Sequence, residues 1–236
     1  MKAAVDLHIH SALSPCADKD MTPNNIINMA YLKGLDIIAV TDHNSAENLE
    51  PVLKCAGRRG ILAIPGMEVE TKEEVHLICL FPGLDEALKM QEYVYCSLPR
   101  LENREDIFGQ QIIMDDDNNP AGFVDRLLLT AADIGIDEVF TRIDKLKGVV
   151  VPAHVDRESY SIISNLGIVP DNLDIKFLEV SRLCNTKKLA DRYGYLGGYE
   201  FIKSSDAHYL GDILERESFI EVQELSAECL IYSLKK

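Results

Sequence analysis

At 236 residues, 47% hydrophobic and 27% charged, the chain has the composition of one globular domain, long enough to bury a core without staples. No apolar run approaches the roughly 20 residues of a membrane span. Met1-Lys2-Ala3-Ala4-Val5-Asp6 reaches a carboxylate too early for a secretion signal, so a cytoplasmic protein is expected, its six scattered cysteines reduced. The net charge of −15 argues against an extended nucleic-acid groove and still allows a small anionic substrate, provided metals supply positive charge locally.

The first Val- and Ile-rich run predicts a strand at Ala3–His8. Thr22-Pro23 reads as an N-cap followed by proline at the first helical position, opening a helix over Asn24–Lys33 that Gly34 closes. A strand at Ile37–Thr41, a helix over Ala46–Arg59 ending at Gly60, and strands at Ile61–Ile64 and Val75–Leu80 follow. Residues 84–147 break the rhythm: helical patterns cover Asp85–Tyr95 and Ala121–Ala132, separated by the turn-rich run Asp115–Pro120, with no convincing strand between. Strands resume at Val149–Ala153, Phe177–Val180, Phe201–Ser204 and Ser218–Val222, with Gly197-Gly198 read as a helix end. Strand alternating with helix predicts a mostly parallel sheet, open or closed into a barrel. The segment 84–147 is read as a helical insertion on a single domain spanning 1–236, because about 60 residues make a marginal core of their own.

Histidine carries the functional signal. All six end or follow a predicted strand or, for His76, lie within one: His8, His10, His43, His76, His154 and His208. In an α/β barrel the carboxyl ends of the strands converge on one face, so these residues would meet there. His8 and His10, two apart on an extended strand, point the same way and form a clamp for a borderline metal. Asp206-Ala207-His208 repeats that spacing with a carboxylate, Glu68 follows a third strand, and Asp18 lies in the loop after the first.

Asp6-Leu7-His8-Ile9-His10-Ser11, Thr41-Asp42-His43, Pro65-Gly66-Met67-Glu68 and Ser205-Asp206-Ala207-His208 together resemble the PHP family, named for its polymerase and histidinol phosphatase members. The resemblance is weakest over 84–147. It implies a distorted (β/α)7 TIM-like barrel with two to three divalent metals, zinc, manganese or iron, at the carboxyl ends of its strands. By the family pattern His8, His10, Glu68 and Asp206 hold the first metal. Glu68 bridges to a second held by His76 and His154, and Asp18, His43 and His208 hold the third. Asp18 is the loosest match, with Asp20 as a competitor and Cys16 as a bystander nearby. The implied reaction is hydrolysis of a small phosphorylated substrate, such as histidinol phosphate or a nucleotide, by a metal-activated water.

Arg157, three residues after His154, is the candidate phosphate clamp, because a guanidinium can pair two phosphate oxygens; Arg182 is a weaker one. Asp6 and Asp42 are better read as supports for ligands and loops than as ligands, and Asp115–Asp117 as a solvated turn. Two other readings stay open. One is a metal-dependent amidohydrolase, although no lysine sits at a matching strand end. The other is a non-catalytic metal-stabilised module, against which stands the presence of all nine ligand positions.

Overall fold

The computed structural model describes residues 1–236, and every predicted strand is present. In chain order the elements are β1 (Lys2–Ile9), α1 (Pro23–Leu32), β2 (Ile37–Val40), α2 (Leu49–Arg59), β3 (Leu62–Glu70) and β4 (His76–Leu80). Then come α3 (Leu84–Ser97), α4 (Glu105–Phe108), β5 (Ile112–Met114), β6 (Pro120–Phe123) and α5 (Ile136–Lys145). The last third contributes β7 (Val149–Pro152), α6 (Ile162–Leu166), β8 (Phe177–Ser181), α7 (Thr186–Arg192), β9 (Glu200–Ser204), β10 (Phe219–Glu221) and α8 (Ala227–Lys235). The Thr22 hydroxyl accepts from Asn25 N–H at the start of α1, and Gly60, at φ 70°, closes α2 in the left-handed region that favours glycine.

Six strands form a curled sheet in the order β10-β1-β2-β3-β4-β7, and β8 and β9 form a parallel pair. The two pieces meet at both edges through loop backbone rather than ladders. Val155 N–H donates to Glu179 O (2.9 Å) at one seam, and His10 N–H to Ala207 O (2.9 Å) at the other. The ring β1-β2-β3-β4-β7-β8-β9 is thus a distorted barrel, with β10 antiparallel beside β1. Val5, Leu7, Ile37, Ala39, Ile64, Ile78, Val151, Phe177 and Ile202 share one core, closed by Leu230, Ile231 and Leu234 of α8. Opposite faces of the strands, Ala4, Ile38, Val40 and Cys79 among them, pack with α1, α2, α3 and α5.

Two departures from the expected pattern place the site. β4 pairs antiparallel with both β3 and β7, so the sheet is less parallel than the alternation predicts. Only residues 71–75 separate β3 from β4, too few for the crossover a parallel pair needs. The first residue of β4, His76, therefore lies where β3 and β7 end. In β1 the register slips between Asp6 and Ile9. Val5 and Leu7 face one core while Ile9 packs into the other, so the extra residue reverses the alternation and brings His8 and His10 onto the side of Val5 and Leu7.

Residues 84–147 are not wholly helical. α3 matches the expected helix at 85–95, but Ala121–Ala132 is no helix: β6 pairs with β5, and an irregular stretch follows. The hairpin is held from outside, by Met114 N–H donating to Asn48 Oδ1 (2.9 Å) and Asn48 Nδ2 donating to Ile112 O (3.1 Å). Its turn is a solvated one, as expected: Asp115 Oδ1 accepts from the backbone N–H of Asp117 and Asn119. No helix is long and apolar enough to cross a membrane.

Candidate metal centre

All six imidazoles converge at one end of the barrel, and Glu68 lies at their centre. Its carboxylate is 2.8 Å from His76 Nδ1, 2.9 Å from His43 Nδ1, 3.3 Å from both His8 Nε2 and His154 Nε2, and 3.4 Å from His10 Nε2. Asp206 Oδ1 stands 3.2 Å from His8 Nε2 and 3.0 Å from His10 Nε2. Two ligands each about 2.1 Å from a shared tetrahedral metal are about 3.4 Å apart, so these separations suit donors to common cations. Three clusters have donor atoms close enough to hold an ion: His8/His10/Glu68, His43/Glu68/His76 and His10/His43/His208.

Of the nitrogens turned away from the centre, those of His8, His10 and His208 are tied down, while His154 Nδ1 is buried without a partner. His8 Nδ1 meets Glu179 Oε1 at 2.9 Å. His10 Nδ1 meets Ser14 Oγ (3.0 Å), which itself donates to Asp42 Oδ1 (2.7 Å), so Ser14 accepts the imidazole proton and leaves Nε2 with its lone pair inward. His208 Nδ1 donates to Asp206 O at 2.8 Å. The inner side is less satisfied: Glu68 Oε2 and His43 Nδ1 are buried without a well-aligned hydrogen bond. Buried lone pairs pointed at carboxylates need a proton or a cation between them, and the donor set, imidazole with carboxylate, suits zinc, manganese or iron.

The electrostatics follow from that crowding. Burial pushes the Glu68 carboxyl up, but the imidazoles of His76, His8 and His43 outweigh it and hold the group well below the usual carboxylate range. Burial pushes His8 down, yet Glu179, Asp206 and Glu68 raise it well above the usual imidazole value. His10 goes the other way, lowered to about 3 by burial and by His43. His154 (φ 29°) and Asp206 (φ 50°) both hold left-handed backbone conformations at the rim, strain of the kind that clusters at functional sites.

The structure brings together His8, His10, His43, Glu68, His76, His154, Asp206 and His208. Asp18 stands apart: its Oδ1 turns back to accept from Asp20 N–H (2.8 Å), although its own N–H donates to His208 O. The Cys16 thiol instead lies against His208 and His43; burial raises its pKa, but those imidazoles pull it down further, to about 7. Arg157 reaches the centre and pairs with Asp206 Oδ2 at 2.6 Å. Arg182 does not, pairing with Glu217 (3.0 Å).

Asp42 holds the Ser11 N–H and the hydroxyls of Ser11 and Ser14, and Asp6 accepts from the N–H groups of Ser205 and Leu214, so both support ligand-bearing loops. Two carboxylates escaped the sequence reading. Glu179 anchors His8 and accepts from His154 N–H (3.1 Å), and Glu70 stands 3.8 Å from His76 Nε2. The available signal for Glu179 was a carboxylate inside the apolar run Phe177-Leu178-Glu179-Val180.

The PHP domain model matches residues 6–155. An uncharacterised protein of Methanocaldococcus jannaschii is 38% identical over 92 residues, 39% of this chain and 11% of that protein. A 3′,5′-nucleoside bisphosphate phosphatase of Chromobacterium violaceum is 35% identical over 88 residues, 36% of this chain and 29% of the relative. The chain thus matches less than a third of either relative's length. The lesion-specific endonuclease Q of Pyrococcus furiosus superposes on 100% of this chain with a TM-score of 0.73, at 23% identity and over 56% of its own length, a likeness of fold. A structure of endonuclease Q with a 27-mer duplex carrying an abasic lesion at the active site superposes equally well, with a TM-score of 0.73. That finding overturns the expectation, drawn from the net charge, that no extended nucleic-acid groove is to be looked for. Net charge sums over the whole surface, whereas the potential where a phosphate binds is set by local cations.

Proposed function

The chain belongs to the PHP domain family, and from that premise we propose that it is a metal-dependent phosphoesterase. The observation that carries the reading is the convergence of six imidazoles on Glu68 and Asp206, with outward nitrogens of His8, His10 and His208 anchored. In this reading His8, His10, Glu68 and Asp206 hold one cation, Glu68, His76 and His154 a second, and His43 and His208 a third. Asp18 joins the third only by releasing Asp20. The metals, zinc, manganese or iron, supply Lewis acidity and a nucleophile at neutral pH.

The chain's own groups do the rest. Glu68, within reach of five imidazoles, would be shared between neighbouring cations. Glu179 fixes the His8 ring, and the Asp42–Ser14 pair fixes His10, so ligand geometry is set before substrate arrives. Arg157, half-exposed and paired with Asp206, carries the planar fork that would receive two phosphate oxygens of the ester. The test is phosphate release by protein reconstituted with zinc, manganese or iron. The panel spans an aryl phosphate, histidinol phosphate, nucleotides and short oligonucleotides with or without an abasic site. Turnover of any phosphate ester that disappears on chelation supports the reading; none with any metal sinks it.

A further inference from the structure

One loop, between β7 and α6, carries three different groups to the metal centre. His154 faces Glu68, Arg157 pairs with Asp206, and Tyr160 lays its ring over His76, with centroids 4.8 Å apart and planes at 30°. Tyr160 has φ 55°, a left-handed conformation that is a genuine outlier for so bulky a residue. That conformation is held on both sides: His76 N–H donates to Tyr160 O (3.0 Å), and Ser161 Oγ donates to Arg157 O (2.9 Å). The ring covers an imidazole that is itself buried, yet Tyr160 remains 46% exposed. The same loop thus presents a guanidinium and a partly exposed aromatic ring, three residues apart in sequence, at the edge of the centre.

Resting on the phosphoesterase reading, we propose that the open face of Tyr160 is a stacking platform for the nucleobase of the substrate. The substrate class is then a nucleoside phosphate, free or within a strand, with its phosphate at Arg157 and its base on Tyr160. Aromatic stacking tolerates every base, because each has a π-face, so the platform selects for a planar group and not for sequence.

Two readouts test this. Hydrolysis of nucleoside monophosphates is compared with that of ribose phosphate, which lacks a base, in wild type, Tyr160→Phe and Tyr160→Ala with equal metal content. Wild type and Tyr160→Phe should prefer the nucleotide by roughly 5- to 150-fold in kcat/KM, the range expected of one stacked base. In Tyr160→Ala the ratio should fall towards one. Equal losses for both substrates would assign Tyr160 to holding His76 and overturn the platform, as would a wild type indifferent to the base. The second readout needs no turnover: 2-aminopurine riboside 3′- and 5′-monophosphates should be quenched on binding to wild type and Tyr160→Phe but not to Tyr160→Ala. Quenching without hydrolysis of any ester with any metal would sink the phosphoesterase reading and leave the platform standing. Absence of Tyr160-dependent quenching would overturn the platform whatever the turnover.

Discussion

Five imidazole nitrogens lie 2.8 to 3.4 Å from the Glu68 carboxylate, so its charge should matter more than its shape. Glu68→Gln is expected to lose at least one metal equivalent by elemental analysis. Asp42→Asn, which disturbs the Ser11 and Ser14 contacts and through Ser14 the His10 ring, should lose less; equal loss in both would mean that Glu68 is not shared between cations. Glu179→Gln should weaken metal binding by about 10- to 100-fold, the usual effect of removing an outer partner of a ligating histidine, and unchanged affinity would free His8 from that dependence. Arg157→Ala should keep its metal and lose about 2 kcal/mol of transition-state binding, roughly 30-fold in kcat/KM; Arg157→Lys should restore part of it. The raised values of His8, His43 and His76 come from burial opposed and outweighed by carboxylates, Glu68 in each case. Those protons stabilise the metal-free fold below the ordinary imidazole range, and that contribution is lost as pH climbs through the raised values. Metal binding needs the nitrogens bare, so it should tighten as pH rises and release protons at neutral pH. Calorimetry in buffers of different ionisation enthalpy would measure that release, and identical heats would contradict it. Six histidines at strand ends were legible in the sequence because ligand chemistry restricts the residue type. Glu179 was not, because a single buried carboxylate in a strand has no spacing to betray it.

At the scale of elements, Gly66 fixes the close approach of β3 to β2. A Cβ there would stand 2.6 Å from Thr41 Cγ2 and 3.1 Å from Leu80 Cδ2. Gly66→Ala should therefore cost about 1–3 kcal/mol, the range for overpacking a filled core, and displace Glu68 two residues on. A urea midpoint unchanged from wild type would show that the strand can shift without penalty. The strands were legible because short β-branched runs bounded by turn residues resemble little else, and α1 and α2 because cap residues mark their ends. The direction of β4 was legible in principle from the five residues before it, yet the strand–helix alternation pointed to a parallel sheet. The β5–β6 hairpin was hidden for a different reason. Its ladders are short, and what holds it is Asn48, more than 60 residues earlier in the chain, so local pattern favoured a helix where tertiary contact chose a strand.

For the whole molecule, the acidic surface and the cation cluster have to be weighed separately. A charge of −15 predicts weak non-specific attraction to polyanions, but it does not set the field at the barrel mouth, where cations held by Glu68, Asp206 and the imidazoles would supply positive charge beside Arg157. Oligonucleotide cleavage, if present, should therefore depend on metal loading more than on bulk salt; the reverse order would point to a basic groove. Hydrolysis by a cluster of cations is the central claim, and titrating metal into the stripped protein while measuring phosphate-ester hydrolysis tests it most directly. Turnover should stay near background through the first equivalent and rise as the second and third bind. Full activity at one equivalent, or no ester hydrolysis at any loading while the metal binds, would contradict it.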